Sequence, residues 1–188
     1  GKLIVATNQN DILARVINSG DYKPNDVKST LTPSMDIQIS SNFERLLFDI
    51  SEQNEKRVIN LMNDLKNKGS FSLGEKEISI IKDIFDAEAI DDNETIRIIR
   101  DFFNNFGFIL DPHTATAVGA SYKVKNDLPT VVLGTAHPYK FADTVKLAIN
   151  REVSTPEQVV ALPDKKEKFE ILDNNLQKVK NYILEKTQ

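Results

Sequence analysis

Leu133-Gly134-Thr135-Ala136-His137-Pro138-Tyr139-Lys140-Phe141 follows the apolar, β-branched run Thr130-Val131-Val132 and ends it in a cluster of polar side chains. Such a run predicts a strand, and polar groups at a strand's carboxyl end stand where open α/β sheets bind their ligands. Gly134 loosens the backbone just after the strand, so the Thr135 hydroxyl can point into the crevice outside the sheet. Read alone, Thr135 is more simply a strand-end hydroxyl that bonds local backbone. Pro138 pushes His137 to extended geometry. A histidine held this way can orient a ligand, shuttle a proton, or bond the carbonyl of a neighbouring loop as a supporting group.

Outward from this stretch, strand and helix signals alternate, which predicts a parallel α/β sheet flanked by helices. Residues 2–7 read as a strand, and Asn8-Gln9-Asn10-Asp11 as a cap for a helix with Ile12, Leu13, Val16 and Ile17 on its inner face. Gly20 stops that helix, and residues 21–34, with Pro24 and Pro33, read as an irregular loop. Phe43, Leu46, Leu47 and Ile50 mark one amphipathic helix; Val58, Leu61, Met62 and Leu65 mark a second, ended by Gly69. Further helices are expected at 94–103, 114–123 and 140–150, and strands at 108–110 and 130–133. Residues 159–163 open a tail that passes a charged turn and finishes in a helix bearing Leu176, Val179, Ile183 and Leu184. The acidic, lysine-rich stretch 66–93 reads as a peripheral helical insertion, leaving 1–65 and 94–188 as the α/β portion. No repeat, low-complexity tract or sustained heptad pattern is present.

Composition narrows the chemistry. With 188 residues and 40% hydrophobic content, the chain can bury a core of its own. A net charge of -4 argues against a general nucleic-acid or anionic-membrane binder, because either needs a basic face. No apolar run approaches a membrane span and no secretory signal precedes the first strand, so a cytoplasmic location is the expected default. The absence of cysteine removes disulfides, thiolate nucleophiles and thiolate metal sites, and two histidines leave little for a metal cluster, so no metal site is expected. Gly1, standing where an initiating Met would, lies directly before a run that already reads as a strand, which leads to the expectation that the chain is the end of something longer.

Two more segments hold groups suited to a site. Asp111-Pro112-His113-Thr114-Ala115 sits between a strand and a helix, where Asp111 or Thr114 can cap the helix and Asp111 and His113 can also face the crevice. Ser34-Met35-Asp36-Ile37-Gln38-Ile39-Ser40-Ser41-Asn42-Phe43-Glu44-Arg45 places hydroxyls, an amide and a guanidinium near a helix start, an environment suited to an anion. A capping box of Ser41 with Glu44 is the alternative there, though it leaves Asp36 and Arg45 without a role. Asn8 is open to two readings likewise, a helix cap or the rim of a cofactor pocket.

These three motifs, in this order, resemble the threonine synthase family of fold type II pyridoxal-phosphate enzymes, and the resemblance is to its carboxyl-terminal part. It implies a lyase that converts O-phospho-L-homoserine and water to L-threonine and phosphate with pyridoxal 5'-phosphate as electron sink. By position in the motif it carries to Thr135 the hydroxyl that bonds the cofactor's pyridine nitrogen, and a neutral hydroxyl suits a neutral ring. Ser34, Asp36, Ser41, Asn42 and Arg45 become candidates for the substrate-phosphate pocket, and Asn8, Asp111, His113 and His137 candidates for the rest of the pocket. The family's Schiff-base lysine and cofactor-phosphate loop lie upstream of the segment matching residues 2–11, so no catalytic residue is assigned in this chain and the chain alone is expected to be inactive. Lys140-Phe141-Ala142-Asp143 echoes the lysine motif in the wrong order and is not given that role. The family pattern after Asp-Pro-His-Thr is Ala-Val-Gly, whereas here Thr-Ala recurs before Val118-Gly119, which leaves the helix register after Thr114 open. Another lyase or synthase of the same fold, and a non-catalytic α/β interaction module, stand as alternatives. A hydrolase is disfavoured because no Gly-x-Ser-x-Gly elbow is present.

Overall fold

The computed structural model describes residues 1–124 and 128–187. Its centre is a parallel pair, β1 (Leu3–Thr7) and β4 (Phe85–Ala89), in the register Leu3 to Phe85 and Thr7 to Ala89. Because side chains alternate along a strand, Val5, Ala87 and Ala89 pack into one core cluster while Ile4 and Ala6 pack into another on the opposite face. The chain is thus an α/β layer structure, as the alternation of signals predicts.

On the first face, α1 (Ile12–Ser19) buries Ile12 and Val16 completely, and α2 (Phe43–Ile50), α3 (Glu55–Lys68) and α4 (Glu75–Ile84) add Leu47, Leu61 and Ile81. Each such aliphatic side chain contributes about 1.5–3 kcal/mol when fully buried, so this cluster dominates the stability of that side. Gly20 ends α1 with φ +85°, and a Cβ there would stand 2.4 Å from Ile78 Cδ1. Both facts demand glycine. A short antiparallel pair, β2 (Asp21–Tyr22) with β3 (Phe71–Ser72), stacks the Tyr22 ring between Phe71, 4.7 Å away, and Phe43, 5.5 Å away. The Tyr22 hydroxyl accepts the Ser40 N–H at 2.8 Å, fastening the loop to the aromatic stack.

The second face is covered by α5 (Asp92–Phe106), α6 (Pro112–Lys123) and α7 (Ala142–Ile149). Asp91 and Glu94 form the capping box of α5. Helix α6 buries Pro112 to Thr116 and Val118 to Ala120, residues on every side, which a helix of mostly small residues permits in a crowded layer. It runs unbroken past Thr114, so the repeated Thr-Ala does not interrupt it.

Four expectations from the sequence are corrected. Residues 66–93 are not a peripheral helical insertion: they contain β3, α4 and β4, and β4 is the partner of β1 at the centre of the fold. Residues 130–133 belong to neither sheet, with Val131 85% and Leu133 75% exposed, because an apolar β-branched run becomes a strand only where another strand offers a ladder. Residues 108–110 likewise form no strand; Leu110 packs inward while Phe108 is exposed. The helix expected at 140–150 begins as a 3-10 turn, Pro138–Phe141, before α7.

The chain divides into two compact units, the first being Gly1–Ser154. From Thr155 onward the second unit contains α8 (Glu157–Val160) and α9 (Leu176–Thr187), the tail helix expected from its apolar spacing, with Lys186 paired to Glu170 at 3.2 Å. Among the described residues no helix is long and apolar enough to cross a membrane, and no three or more His, Cys, Asp or Glu side chains are grouped as metal ligands.

Candidate functional site

The amino end of α6 is a hydrogen-bonded hub. Asp111 Oδ1 accepts the His113 N–H at 2.9 Å and the Thr114 N–H at 3.3 Å, capping the helix as the sequence predicts. The Thr114 hydroxyl donates to Asp111 Oδ2 and accepts the Thr135 N–H at 3.1 Å. The direction is forced, since a carboxylate can only accept and a backbone N–H can only donate.

His113 is 5% exposed and packs against the Phe141 ring at 4.5 Å. Its Nε2 accepts the Ser34 N–H at 3.3 Å, so the ring proton sits on Nδ1. That Nδ1 lies 3.4 Å from Asp111 Oδ1 without the alignment of a hydrogen bond. Burial pushes the His113 imidazole below its ordinary range, and Lys140 acts in the same direction; Asp111 and Asp36 pull the other way without prevailing. A pH dependence follows. Above about pH 6.5 the ring is neutral in both folded and unfolded chains. As pH falls below that value the unfolded chain takes a proton that the folded one refuses, so His113 lowers stability increasingly until its folded-state pKa is reached. Unfolding titrations of wild type and His113→Asn should therefore show their stability gap narrowing as pH falls from 7; a constant gap would remove His113 as the cause.

The second element of the site is the loop after β2. Asp36 Oδ1 accepts from Asn8 Nδ2 at 2.8 Å, Asn10 Nδ2 at 2.9 Å and Thr30 Oγ1 at 2.7 Å, and Oδ2 accepts the Thr30 N–H at 3.0 Å. Asn8 Nδ2 also reaches Thr32 Oγ1 at 2.9 Å, and Asn10 Nδ2 the Lys28 carbonyl at 2.9 Å. Arg15 ties the same loop down through the Lys23 carbonyl at 2.9 Å and Gln38 Oε1 at 3.3 Å. Asn8 therefore neither caps α1 nor rims an open pocket; it holds the loop against the carboxyl end of β1. Asp36 faces inward to four donors and is not placed to meet a phosphate. Asn10, Arg15, Thr30, Thr32 and Gln38 were not expected in this role, and the only sequence signal was the density of Asn and Thr around Asp36.

Between these elements runs a groove of about 1160 Å³, walled by β1 residues Leu3, Ile4 and Ala6, by Asp86 and Glu88 of β4, by His113 and Ala117 of α6, and by residues 128–133 and Thr135. Thr135 is exposed on its wall, and its hydroxyl makes no hydrogen bond among the described residues. Lys2 lines the groove too, but its ammonium is paired with Asp86 at 3.1 Å. His137 is elsewhere engaged: its Nδ1 accepts the Tyr139 N–H at 3.1 Å and caps the 3-10 turn. Neither sequence reading of His137 anticipated that bond.

The family described as "Threonine synthase, C-terminal" matches residues 114–183. Threonine synthase of Pseudomonas aeruginosa is 39% identical over 185 residues, 97% of this chain and 39% of that protein. The crystal structure of pyridoxal-phosphate-bound threonine synthase from Brucella melitensis superposes with a TM-score of 0.85 at 44% identity, over 97% of this chain and 39% of that one. Threonine synthase from yeast gives 0.82 at 36% identity, over 99% and 42%. The chain belongs to the threonine synthase family.

It spans about two fifths of the length of these relatives, and the part it matches is carboxyl-terminal. Within this threonine synthase segment the structure joins the three motifs through the middle one: Thr114 holds Thr135 and His113 holds Ser34. It does not join the third motif's two halves. Arg45 Nη2 donates to Asn42 Oδ1 at 2.7 Å on the exposed start of α2, and no hydrogen bond among the described residues links Ser41, Asn42 or Arg45 to Ser34 or Asp36. The Ser41–Glu44 capping box is not formed either, since no side-chain cap bond closes the start of α2. Lys140 is exposed, its ammonium 5.6 Å above the Phe141 ring, outside the groove.

Proposed function

We propose that this chain forms the carboxyl-terminal part of a threonine synthase, in which it supplies one wall of the cofactor and substrate site for converting O-phospho-L-homoserine and water to L-threonine and phosphate. The observation that carries the reading is Thr135: a neutral hydroxyl, with no hydrogen-bond partner among the described residues, on the wall of a groove large enough for a pyridoxal phosphate and its substrate. It fits a neutral pyridine nitrogen, to which a hydroxyl can donate without requiring the ring to be charged. When bound, the cofactor supplies the electron sink for elimination and hydration. The chain's own part is positional. Thr135 orients the ring, and His113, neutral because it is buried, holds the Ser34 backbone beside Met35, which lines the groove. Ser34, Ser41, Asn42 and Arg45 are assigned to the substrate phosphate, with Arg45 as the exposed positive charge, while Asp36 shapes the loop from within. Lys2, which lines the groove, is paired with Asp86, and the Schiff-base lysine is assigned through the family resemblance to a segment outside this chain.

Phosphate release and threonine formation from O-phospho-L-homoserine by the complete enzyme, with and without pyridoxal phosphate, test the assignment. Both products should form only with cofactor, the 188-residue chain alone should form neither, and Thr135→Val should lower turnover about 10- to 100-fold, the worth of one hydrogen bond to a polar ring atom. A folded, cofactor-loaded enzyme that acts on a different substrate would make it a sister lyase or synthase of the same fold. Failure to bind cofactor would leave a non-catalytic module.

A further inference from the structure

We infer that Thr114 and His113 are positioning residues that latch two loops of the site to the amino end of one buried helix. The inference rests on the reading of Thr135 as a cofactor contact, but its geometry stands apart from it. Thr135 lies in an exposed segment that belongs to neither sheet, so strand pairing does not fix its backbone. Among the described residues, what fixes it is the bond from its N–H to the Thr114 hydroxyl at 3.1 Å, and that hydroxyl is itself oriented by donating to Asp111 Oδ2. The same helix end holds the other loop. One residue earlier, His113 Nε2 accepts the Ser34 N–H at 3.3 Å.

Adjacent residues of one helix turn thereby set the spacing between a group facing the cofactor and a loop facing the substrate. The first turns of helix α6, Pro112 to Thr116, are buried, so its amino end is a rigid reference point. The bonds run from backbone N–H groups to side chains, which means they hold the loops whatever side chains Thr135 and Ser34 carry. The His113 ring can serve only as long as Nε2 is unprotonated. Thr114 can serve only while it has an acceptor for its own proton, which Asp111 provides.

The test is hydrogen exchange by mass spectrometry on the complete enzyme, following peptides that contain Thr135 and Ser34, together with cofactor affinity and the separation of KM from kcat. Thr114→Val should speed exchange at the Thr135 amide about tenfold and weaken cofactor binding while leaving the Ser34 amide unchanged, and Thr114→Ser should restore both. His113→Leu should do the reverse, speeding exchange at Ser34 and raising KM for O-phospho-L-homoserine more than it lowers kcat. Should valine at position 114 prevent folding, Thr114→Ala makes the same cut. Unchanged exchange at the targeted amide overturns the inference, and so does an equal rise along all of α6 from either variant, which would mark a helix merely loosened. If Thr135→Val leaves cofactor affinity and spectrum unchanged, the cofactor reading fails while the exchange results still decide whether the latch exists.

Discussion

Asp36→Ala should destabilise the chain by about 2–4 kcal/mol and release the loop between β2 and α2, because it removes the one acceptor group on which four donors converge. Some donors keep a second partner. Asn8 Nδ2 retains Thr32, and Asn10 Nδ2 retains the Lys28 carbonyl. Asn8 Nδ2 also keeps the Thr30 hydroxyl at 2.8 Å, so the Thr30 N–H and one hydrogen of the Asn10 amide are left to water, and Asn10 is buried, which is where an unpaired donor costs most. Asp36→Asn should fall between wild type and alanine: its amide oxygen can keep the three bonds now made to Oδ1, but its NH2 group would face the Thr30 N–H, donor against donor. Denaturant midpoints for the three proteins, with limited proteolysis of residues 23–38, measure the order. If asparagine and alanine cost the same, the carboxylate's capacity to accept on both oxygens is not what holds the loop.

The features visible in sequence were those that depend on neighbours along the chain. The β-branched run of β1, the apolar spacing of Phe43 to Ile50 and Val58 to Leu65, and the cap at Asp111 each declare themselves within a few residues, and each stands where it was expected. Strand β4 hid because Phe-Asp-Ala-Glu-Ala places Asp86 and Glu88 on the face toward the groove, so a central strand shows the acidic composition of a surface segment. Residues 130–133 misled in the opposite sense: apolar β-branched composition reports a readiness to pair, and pairing is decided by what lies alongside. In the site, motifs single out Thr135, Asp111 and His113, whereas the bonds tying Thr135 to Thr114 and Ser34 to His113 span 21 and 79 residues and leave no local pattern. The same holds for Asn8 with Asp36. A polar residue after a strand predicts a cap from its neighbourhood, and only the returning loop reveals that it serves another segment.

Gly119→Val should cost about 3 kcal/mol or more through overpacking, and it should disturb the site from a distance. A Cβ at Gly119 would stand 2.5 Å from Ile98 Cδ1 and 3.1 Å and 3.2 Å from Ile90 Cδ1 and Cγ1. The first contact is with the end of a flexible side chain on α5, which can turn aside; the second is with Ile90, 1% exposed, which has little room. For Gly119→Ala the two effects nearly cancel, since alanine regains about 1 kcal/mol of helix propensity while one methyl displaces Ile98. Valine adds two more carbons in the same gap and gives back part of that propensity, so the balance turns clearly unfavourable. Denaturant midpoints should thus place alanine near wild type and valine well below it. The consequence for function follows from α6 being one rigid body. A displacement of the helix that makes room for valine also moves His113 and Thr114, and a bond of 3.3 Å to Ser34 or 3.1 Å to Thr135 tolerates only a few tenths of an ångström before it fails. Exchange at those two amides should therefore rise in Gly119→Val and stay near wild type in Gly119→Ala; if the valine variant loses stability while both amides remain protected, the helix has accommodated the side chain without moving its amino end.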